Sequence, residues 1–409
     1  MPDAVAITGL GLVLPHGVGI ESAQAVFEGR SAVRRLPPAC GLPDVGGAPL
    51  IRFTPPAGTA ACDRAVQFAV TAALEAWQRA GLGLSDSPAP QRIATVISLS
   101  KGGVHALALR AGLAAASPGQ AGQGGEAAPP LSGATADAAA RAVAARLGTA
   151  GPVASPVTAC ASGGHALAWG AAMIRRGVAD VALVGAAEAS LHPIILGSYR
   201  RMGVLAPPGD DPAASVRPFS ATRRGFAIGE GAGVLVLESA ASARQRNVRP
   251  LAWVRGWASG GQATGLAEME PGGETLARLI GDALRRGGLA PDDVDFVHAH
   301  GTATAVNDLA EARAIRAALG PAARRVSVAS TKGTHGHLLG AAAAVELVLT
   351  VLAMQRGAVP PTANLTDPDP EIGLDCTPLV PRGRDIRCAL KIASGFGGHM
   401  IAVALAAER

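Results

Sequence analysis

Two stretches of this chain repeat one plan, and that repetition restricts the folds open to it. Ser155 to Thr158 reads as a strand-like approach, followed by a turn at Cys160 and a helix ending at Arg175-Arg176-Gly177. Val326 to Ser330 leads through a second glycine turn into a helix ending near Arg356-Gly357. Within them, Gly164-His-Ala-Leu-Ala-Trp-Gly-Ala-Ala172 resembles Gly336-His-Leu-Leu-Gly-Ala-Ala-Ala-Ala344. Ala-rich helices look alike, so the echo is weak alone. Two such units still predict a duplicated fold, with a first half over residues 1–247, a second over 248–409 and the break near 245–250.

The rest of the chain alternates apolar strand-like runs with Ala-rich helical spacing. Val5 to Thr8 runs into a glycine turn, and Gln67 to Ala80 has helical periodicity. Short strand-like runs follow at Val178 to Val184, Val234 to Leu237, Val294 to Val297 and Val326 to Ala329. This alternation predicts layered α/β architecture. Aromatics supply only 3% of the residues, so the core must be built from Ala, Val, Leu and Ile, with 53 Gly permitting close backbone packing. A chain of 409 residues can bury one large core or two fused domains. Residues 115–130 lack periodicity and read as a loop insertion, either solvated or a mobile cover over a substrate tunnel.

Other classes fit poorly. The net charge of +5 comes from scattered arginine, without a basic run or interleaved aromatics, which disfavours nucleic acid and leaves a positive face for an acidic protein partner. The 5 cysteines are an odd number without CxxC spacing, which predicts reduced thiols in a cytoplasm. The N-terminus reads as a first strand rather than a signal peptide. The apolar run Ala341 to Ala353 contains Glu346 and is too short to span a bilayer.

Three residues sit in separate glycine-rich signatures: Cys160 in Thr158–Gly164, His300 in Ala299–Thr304, and His337 in Ser330–Gly340. A thiol with two imidazoles points to acyl transfer through a thioester, then chemistry on a second carbonyl. A helix N-terminus at Cys160 favours the thiolate and lowers its pKa, with Ser162 placed to help cap that helix. Cys40, Cys62, Cys376 and Cys388 lack such a setting and read as structural. His298 with His300, His335 with His337, and Asp308 offer a rival reading as metal ligands of a hydrolase. Carboxylates to complete that site are not clustered nearby, and it would leave Cys160 idle. No metal is therefore assigned. His16, His105, His165, His192 and His399 read as structural.

Two neutral imidazoles can donate to one thioester carbonyl and stabilise the enolate formed by decarboxylating a malonyl group. Thr302 and Thr304 suit the amides of a carrier arm, or simply pack a strand end. Lys332, one of only three lysines, and Glu346 flank His337 and predict a buried charge network that orients the histidines. Asp308 and Glu311, at i and i+3, either extend that network or stabilise their helix. Phe396, between Gly395 and Gly397 in Gly395-Phe-Gly-Gly398, is placed to be a gate, with its N–H joining that of Cys160 as an oxyanion donor. An ordinary glycine turn is the plainer alternative.

Together these residues resemble the elongating β-ketoacyl-acyl-carrier-protein synthases of the thiolase superfamily, nearly end to end. Ile7-Thr-Gly-Leu-Gly11, the Cys160 segment, Arg217-Pro-Phe219 through Gly229–Glu238, His300-Gly-Thr, Thr331-Lys332 to Gly340, and Pro360–Leu365 carry the likeness. It implies a duplicated five-layered α-β-α-β-α fold and a dimer, with acyl carrier protein as partner and no cofactor. It implies Cys160 as acyl acceptor, His300 and His337 as the malonyl-decarboxylating pair, Lys332 and Glu346 as support, and Phe396 as gate. Thr302, Thr304, Gly395 and Gly397 would then meet substrate or its pantetheine arm, and Arg64, Arg200 and Arg201 are candidates for carrier docking. Initiating relatives carry asparagine in place of the second histidine, and thiolases a second cysteine near the C-terminus. Chain-length-factor relatives lack the nucleophile, so Cys160 argues against that role; a non-condensing subunit that shapes a partner's tunnel or supplies starter units is the alternative reading. Ile392-Ala-Ser394, His399-Met400, Ala305, Ser220, Thr222 and Arg224 depart from the usual pattern. The Ser-Gly-Phe-Gly-Gly form looks more like type II polyketide ketosynthases, which implies a polyketide or polyene pathway and a partner subunit that need not be identical.

Overall fold

The structure, a computed structural model, describes residues 4–37, 42, 44–83, 87–111 and 131–408. The expected insertion at 115–130 and Cys40 lie outside these residues.

The first half contributes β1 (Val5–Leu14), β2 (Ile93–Leu99), β3 (Val153–Ala154), β4 (Val181–Glu188) and β5 (Gly231–Ser239). They lie side by side as β1-β5-β4-β2-β3. The second half contributes β6 (Ala252–Gly261), β7 (Phe296–His298), β8 (Ser327–Ala329), β9 (Cys388–Gly395) and β10 (His399–Ala406), in the order β6-β10-β9-β7-β8. In each half the first strand pairs antiparallel with the fifth, and the fifth antiparallel with the fourth. The fourth then pairs parallel with the second, and the second parallel with the third. The two arrays meet where Val5, Ala6 and Ile7 pair antiparallel with Val254, Trp253 and Ala252.

Among the described residues, the longer helices of the layers are α1 (Arg64–Arg79), α2 (Ala138–Leu147), α3 (Ser162–Arg175), α4 (Pro193–Arg201), α5 (Glu274–Gly287), α6 (Ala305–Leu319) and α7 (Ala342–Arg356). Helices α1 and α2 cover the outer face of the first array, while α5 packs on β6 and β10 and against α6 outside the second. Between the arrays lie α3 and α7, the helices of the two repeated units, packed on each other. A side-chain carbon at Gly163 would come within 2.4 Å of the Ala344 backbone nitrogen, so glycine sets how closely these helices approach. Every residue of α7 from Ala342 to Met354 is buried, Glu346 included. Leu339–Arg356 is long and apolar enough to cross a membrane, longer than the sequence run implied, but 89% of it is buried inside the protein, as in a core helix.

The approach to Cys160 differs from expectation. Strand β3 ends at Ala154, and Ser155 to Thr158 is irregular. Pro152 and Pro156 bracket β3 and cannot donate to a ladder, which confines it to a short sheet edge.

Candidate active site

Cys160 sits in a tight turn, Ala159–Ala161, between that edge and α3. Ala159 has a left-handed φ of 49°, an uncommon conformation for a residue with a side chain. The turn is tied by Ser162, whose hydroxyl accepts from the Thr158 N–H at 3.0 Å and donates to the Ala159 carbonyl at 2.7 Å. Ser162 thus braces the turn and does not cap α3, whose N-cap position belongs to Ala161. The thiol is 5% exposed. Burial pushes it up to about 11, with Lys101 and Lys332 pulling the other way. This reverses the lowering expected from the helix N-terminus, because removal from water costs the thiolate more than those positive charges return. At pH 7 the thiol is therefore protonated.

The two His-x-His pairs divide. His298 and His335 face inward and share the Thr331 hydroxyl, at 3.0 and 2.8 Å, and His298 also bonds Thr350 at 2.9 Å. His300 and His337 face each other edge to face, with ring centroids 5.4 Å apart. Their Nδ1 atoms are buried and have no hydrogen-bond partner. Burial, then the Lys332 charge, holds both rings well below the usual histidine range, so both are neutral at pH 7. Among the described residues, no cluster of three or more His, Cys, Asp or Glu has a metal-holding arrangement.

The His300 loop is held from two sides. Glu311 on α6 accepts from the N–H groups of His300 at 2.5 Å and Gly301 at 2.7 Å. Asp308, one turn earlier, accepts from Phe219 at 2.8 Å and from Ala303 at 3.1 Å. Both carboxylates are fully buried scaffolding for the loop rather than a solvated helix pair. From the other side, the Lys332 ammonium donates to the His300 carbonyl and pairs with Glu346 at 2.5 Å. The other Glu346 oxygen pairs with Lys391 at 2.6 Å. Burial opposes the Glu346 charge, but Lys332 and Lys391 together hold the carboxyl well below its ordinary value. Sequence reasoning found Lys332 and missed Lys391. It also missed Lys101, whose ammonium lies 3.6 Å from buried Glu188 and 5.9 Å from the Tyr199 ring centre. All three lysines of the chain surround this site, and their rarity was the available signal.

A cavity of about 530 Å³ joins Cys160, His300, His337, Thr302, Thr304, Gly395 and Phe396. The two threonine hydroxyls bond each other at 2.9 Å. Phe396, Gly397 and Gly398 form the tip of the β9–β10 hairpin, closed by the Gly395–His399 pair. A side-chain carbon at Gly395 would lie 3.1 Å from the Cys160 nitrogen and 2.6 Å from the Thr158 carbonyl oxygen, so this hairpin and the Cys160 turn are in backbone contact. The Phe396 ring lies 6.0 Å from Tyr199, in an apolar cluster that includes Cys160, Leu196 and Phe226. Gly397 does not line the cavity; its N–H donates to the Leu266 carbonyl at 2.7 Å. Among the arginines expected to dock a carrier, Arg64 is buried, paired with Glu230 at 2.8 Å and stacked near Phe68. It cannot meet a partner. Arg200 and Arg201 are exposed at the end of α4.

Comparison with known proteins matches residues 48–243 to the N-terminal domain and residues 251–366 to the C-terminal domain of β-ketoacyl synthase. The chain is 36% identical over 434 aligned residues to a polyketide β-ketoacyl synthase 1 of Streptomyces halstedii, covering 99% of this chain and 98% of that protein. It is 33% identical over 408 residues to 3-oxoacyl-[acyl-carrier-protein] synthase 2 of Coxiella burnetii, covering 96% of each. Among solved structures, a type II polyketide ketosynthase in complex with its acyl carrier protein and bound to a hexaketide aligns over 100% of both chains, with a TM-score of 0.88 at 32% identity.

Proposed function

This chain belongs to the β-ketoacyl synthase family, with a thiolase-like fold and condensing acyltransferase activity, and from that premise we propose how its own residues carry the reaction. Acyl carrier protein delivers an acyl thioester to the cavity. Cys160 attacks the carbonyl, its proton passes to a neutral imidazole and on to the departing carrier thiol, and the acyl group rests on the cysteine sulfur. Malonyl carrier protein then takes the emptied site. Its carboxylate leaves as CO2, and the N–H groups of His300 and His337 hold the enolate oxygen that forms. The enolate carbon attacks the acyl-cysteine carbonyl, a C–C bond forms, the C–S bond breaks, and the released Cys160 thiolate takes a proton from water. The product is a β-ketoacyl carrier protein two carbons longer.

The observation that carries this reading is one cavity shared by Cys160 and two neutral, facing imidazoles. In it, Lys332 and Glu346 hold the His300 loop, Thr302 and Thr304 meet the carrier arm, and Phe396 gates the acyl pocket. The Gly395 backbone against Cys160 supports an oxyanion hole built from the Cys160 and Phe396 N–H groups. Exposed Arg200 and Arg201 suit an acidic carrier. The likeness to the Streptomyces protein and the Ser394-Gly-Phe-Gly-Gly398 segment favour polyketide over fatty-acid synthesis, in the cytoplasm, as a homodimer or with a related subunit. The two halves divide at 247/248, which the family matches ending at 243 and resuming at 251 support. A subunit that only shaped a partner's tunnel would need no thiol here.

The Cys160→Ala variant tests the assignment. It is expected to abolish condensation while retaining decarboxylation of malonyl carrier protein, measured as CO2 release. His337→Ala is expected to lower that release by about 10²-fold, as for loss of an oxyanion donor. Full condensation by either variant overturns the assigned role.

A further inference from the structure

Lys391 plays no part in the reaction as written, yet it is 1% exposed and lies directly behind the His300 loop. Its ammonium donates to the carbonyls of His298 at 3.3 Å, Ala299 at 3.0 Å and Ile392 at 2.7 Å, and pairs with Glu346 at 2.6 Å. Lys332, on the other Glu346 oxygen, takes the next carbonyl, that of His300. One carboxylate therefore ties together two ammoniums that hold three successive carbonyls, 298 to 300. We propose that Lys391 is a positioning residue: through this clamp it fixes where the His300 ring meets the malonyl thioester. The proposal rests on the ketosynthase reading above.

A packing role alone does not account for a lysine here. Lys332 and Glu346 would already form a neutral pair, and a second buried ammonium adds desolvation cost that a methionine of similar shape would avoid. What the charge adds is a positive field behind His300. The charged and titratable groups acting most on that ring are Lys332, His337, Lys391 and Glu346, with Glu311 on its backbone N–H and Cys160 in the same cavity, and Lys391 opposes its protonation. A protonated His300 would set another cation against Lys332 and push the ring out of place. Without Lys391 the ring takes a proton at higher pH, so the acid limb of the rate profile moves up.

The test uses the full chain, carrying Lys391→Met or Lys391→Arg, with acyl and malonyl carrier proteins. For Lys391→Met, acyl loading of Cys160 at pH 8 is expected to match the unaltered protein. The kcat for malonyl decarboxylation is expected to fall about tenfold, as for a slightly displaced group, with KM within about twofold. The acid limb moves to higher pH. Lys391→Arg, which keeps the charge in a different shape, lowers kcat and leaves the acid limb in place. Lys391→Met with unchanged kcat and acid limb overturns the proposal while the ketosynthase reading stands. Equal losses of loading and decarboxylation also overturn it, as mere structural damage. Should Lys391→Met not fold, an acid limb that shifts in Lys391→Arg overturns it as well. Unaltered protein that neither loads nor decarboxylates defeats the ketosynthase reading, and this proposal with it.

Discussion

Each candidate site residue is held by partners, some near in sequence and some far. Cys160 needs Ser162 to brace its turn, His300 needs Glu311, Lys332 and Lys391 on its backbone, and His298 and His335 need Thr331 between them. Glu311 makes the sharpest test of the scaffold. Glu311→Ala leaves two buried N–H groups without an acceptor, at a cost of about 1–3 kcal/mol for each. Urea denaturation should therefore show a large loss of stability, and a loss below about 1 kcal/mol would contradict the scaffold role. Cys160, His300 and His337 could be singled out from sequence because each stands in a distinctive glycine-rich signature, and one cavity joins them. The state of Cys160 was not, since its direction of shift depends on burial by segments far along the chain. Lys391 escaped notice for a similar reason. Its partners, Glu346 and the 298–299 carbonyls, meet it only once β9 lies beside β7.

Among the elements, the repeated strand–turn–helix units became the centre of the molecule. The echo between the Cys160 and His337 segments was legible as sequence, but that their helices pack on each other was not. That contact depends on residues too small to show a pattern. Gly163 is the clearest of them. Gly163→Ala would drive a carbon into the backbone at Ala344, which cannot move aside like a flexible side chain. Overpacking of this kind costs about 1–3 kcal/mol or more, and here it would also shift the Cys160 turn. The expected result is a lowered melting temperature together with slower acyl loading, measured on the same preparation. Unchanged values of both would show that the helix crossing does not set the nucleophile's position. Strand β3 was the element most overestimated from sequence, because flanking prolines shortened it. Arg64 was misassigned to the surface because charge was weighed without its buried partner Glu230.

The whole molecule buries an unusual set of neutral imidazoles. Burial holds His298, His300 and His337 well below the usual range, His335 at about 3 and His105 at about 4. In the unfolded chain these groups take protons below about pH 6.5. The unfolded state then binds more protons than the folded one, so stability falls as pH drops, by about 1.4 kcal/mol per unit for each histidine. Glu311, pushed by burial up to about 7, acts in the opposite sense, as do Asp63 and Asp308. Between about pH 6.5 and 5 the histidines outnumber the opposing carboxylates, and the urea midpoint should fall steeply. A flat or rising midpoint would mean that these rings are not buried and neutral. The duplicated topology, with its repeated strand order, was anticipated from one echo and the α/β alternation. The pairing that joins the two arrays at Val5–Ile7 left no trace in the sequence. Whether Cys160 is the acyl acceptor of a condensing enzyme can be read by intact-mass spectrometry. The protein is incubated with acyl carrier proteins bearing short and long chains, and malonyl carrier protein is then added. One acyl adduct on Cys160 is expected, and it disappears as a product two carbons longer is released. No adduct with any chain, even beside candidate partner subunits, would contradict that role.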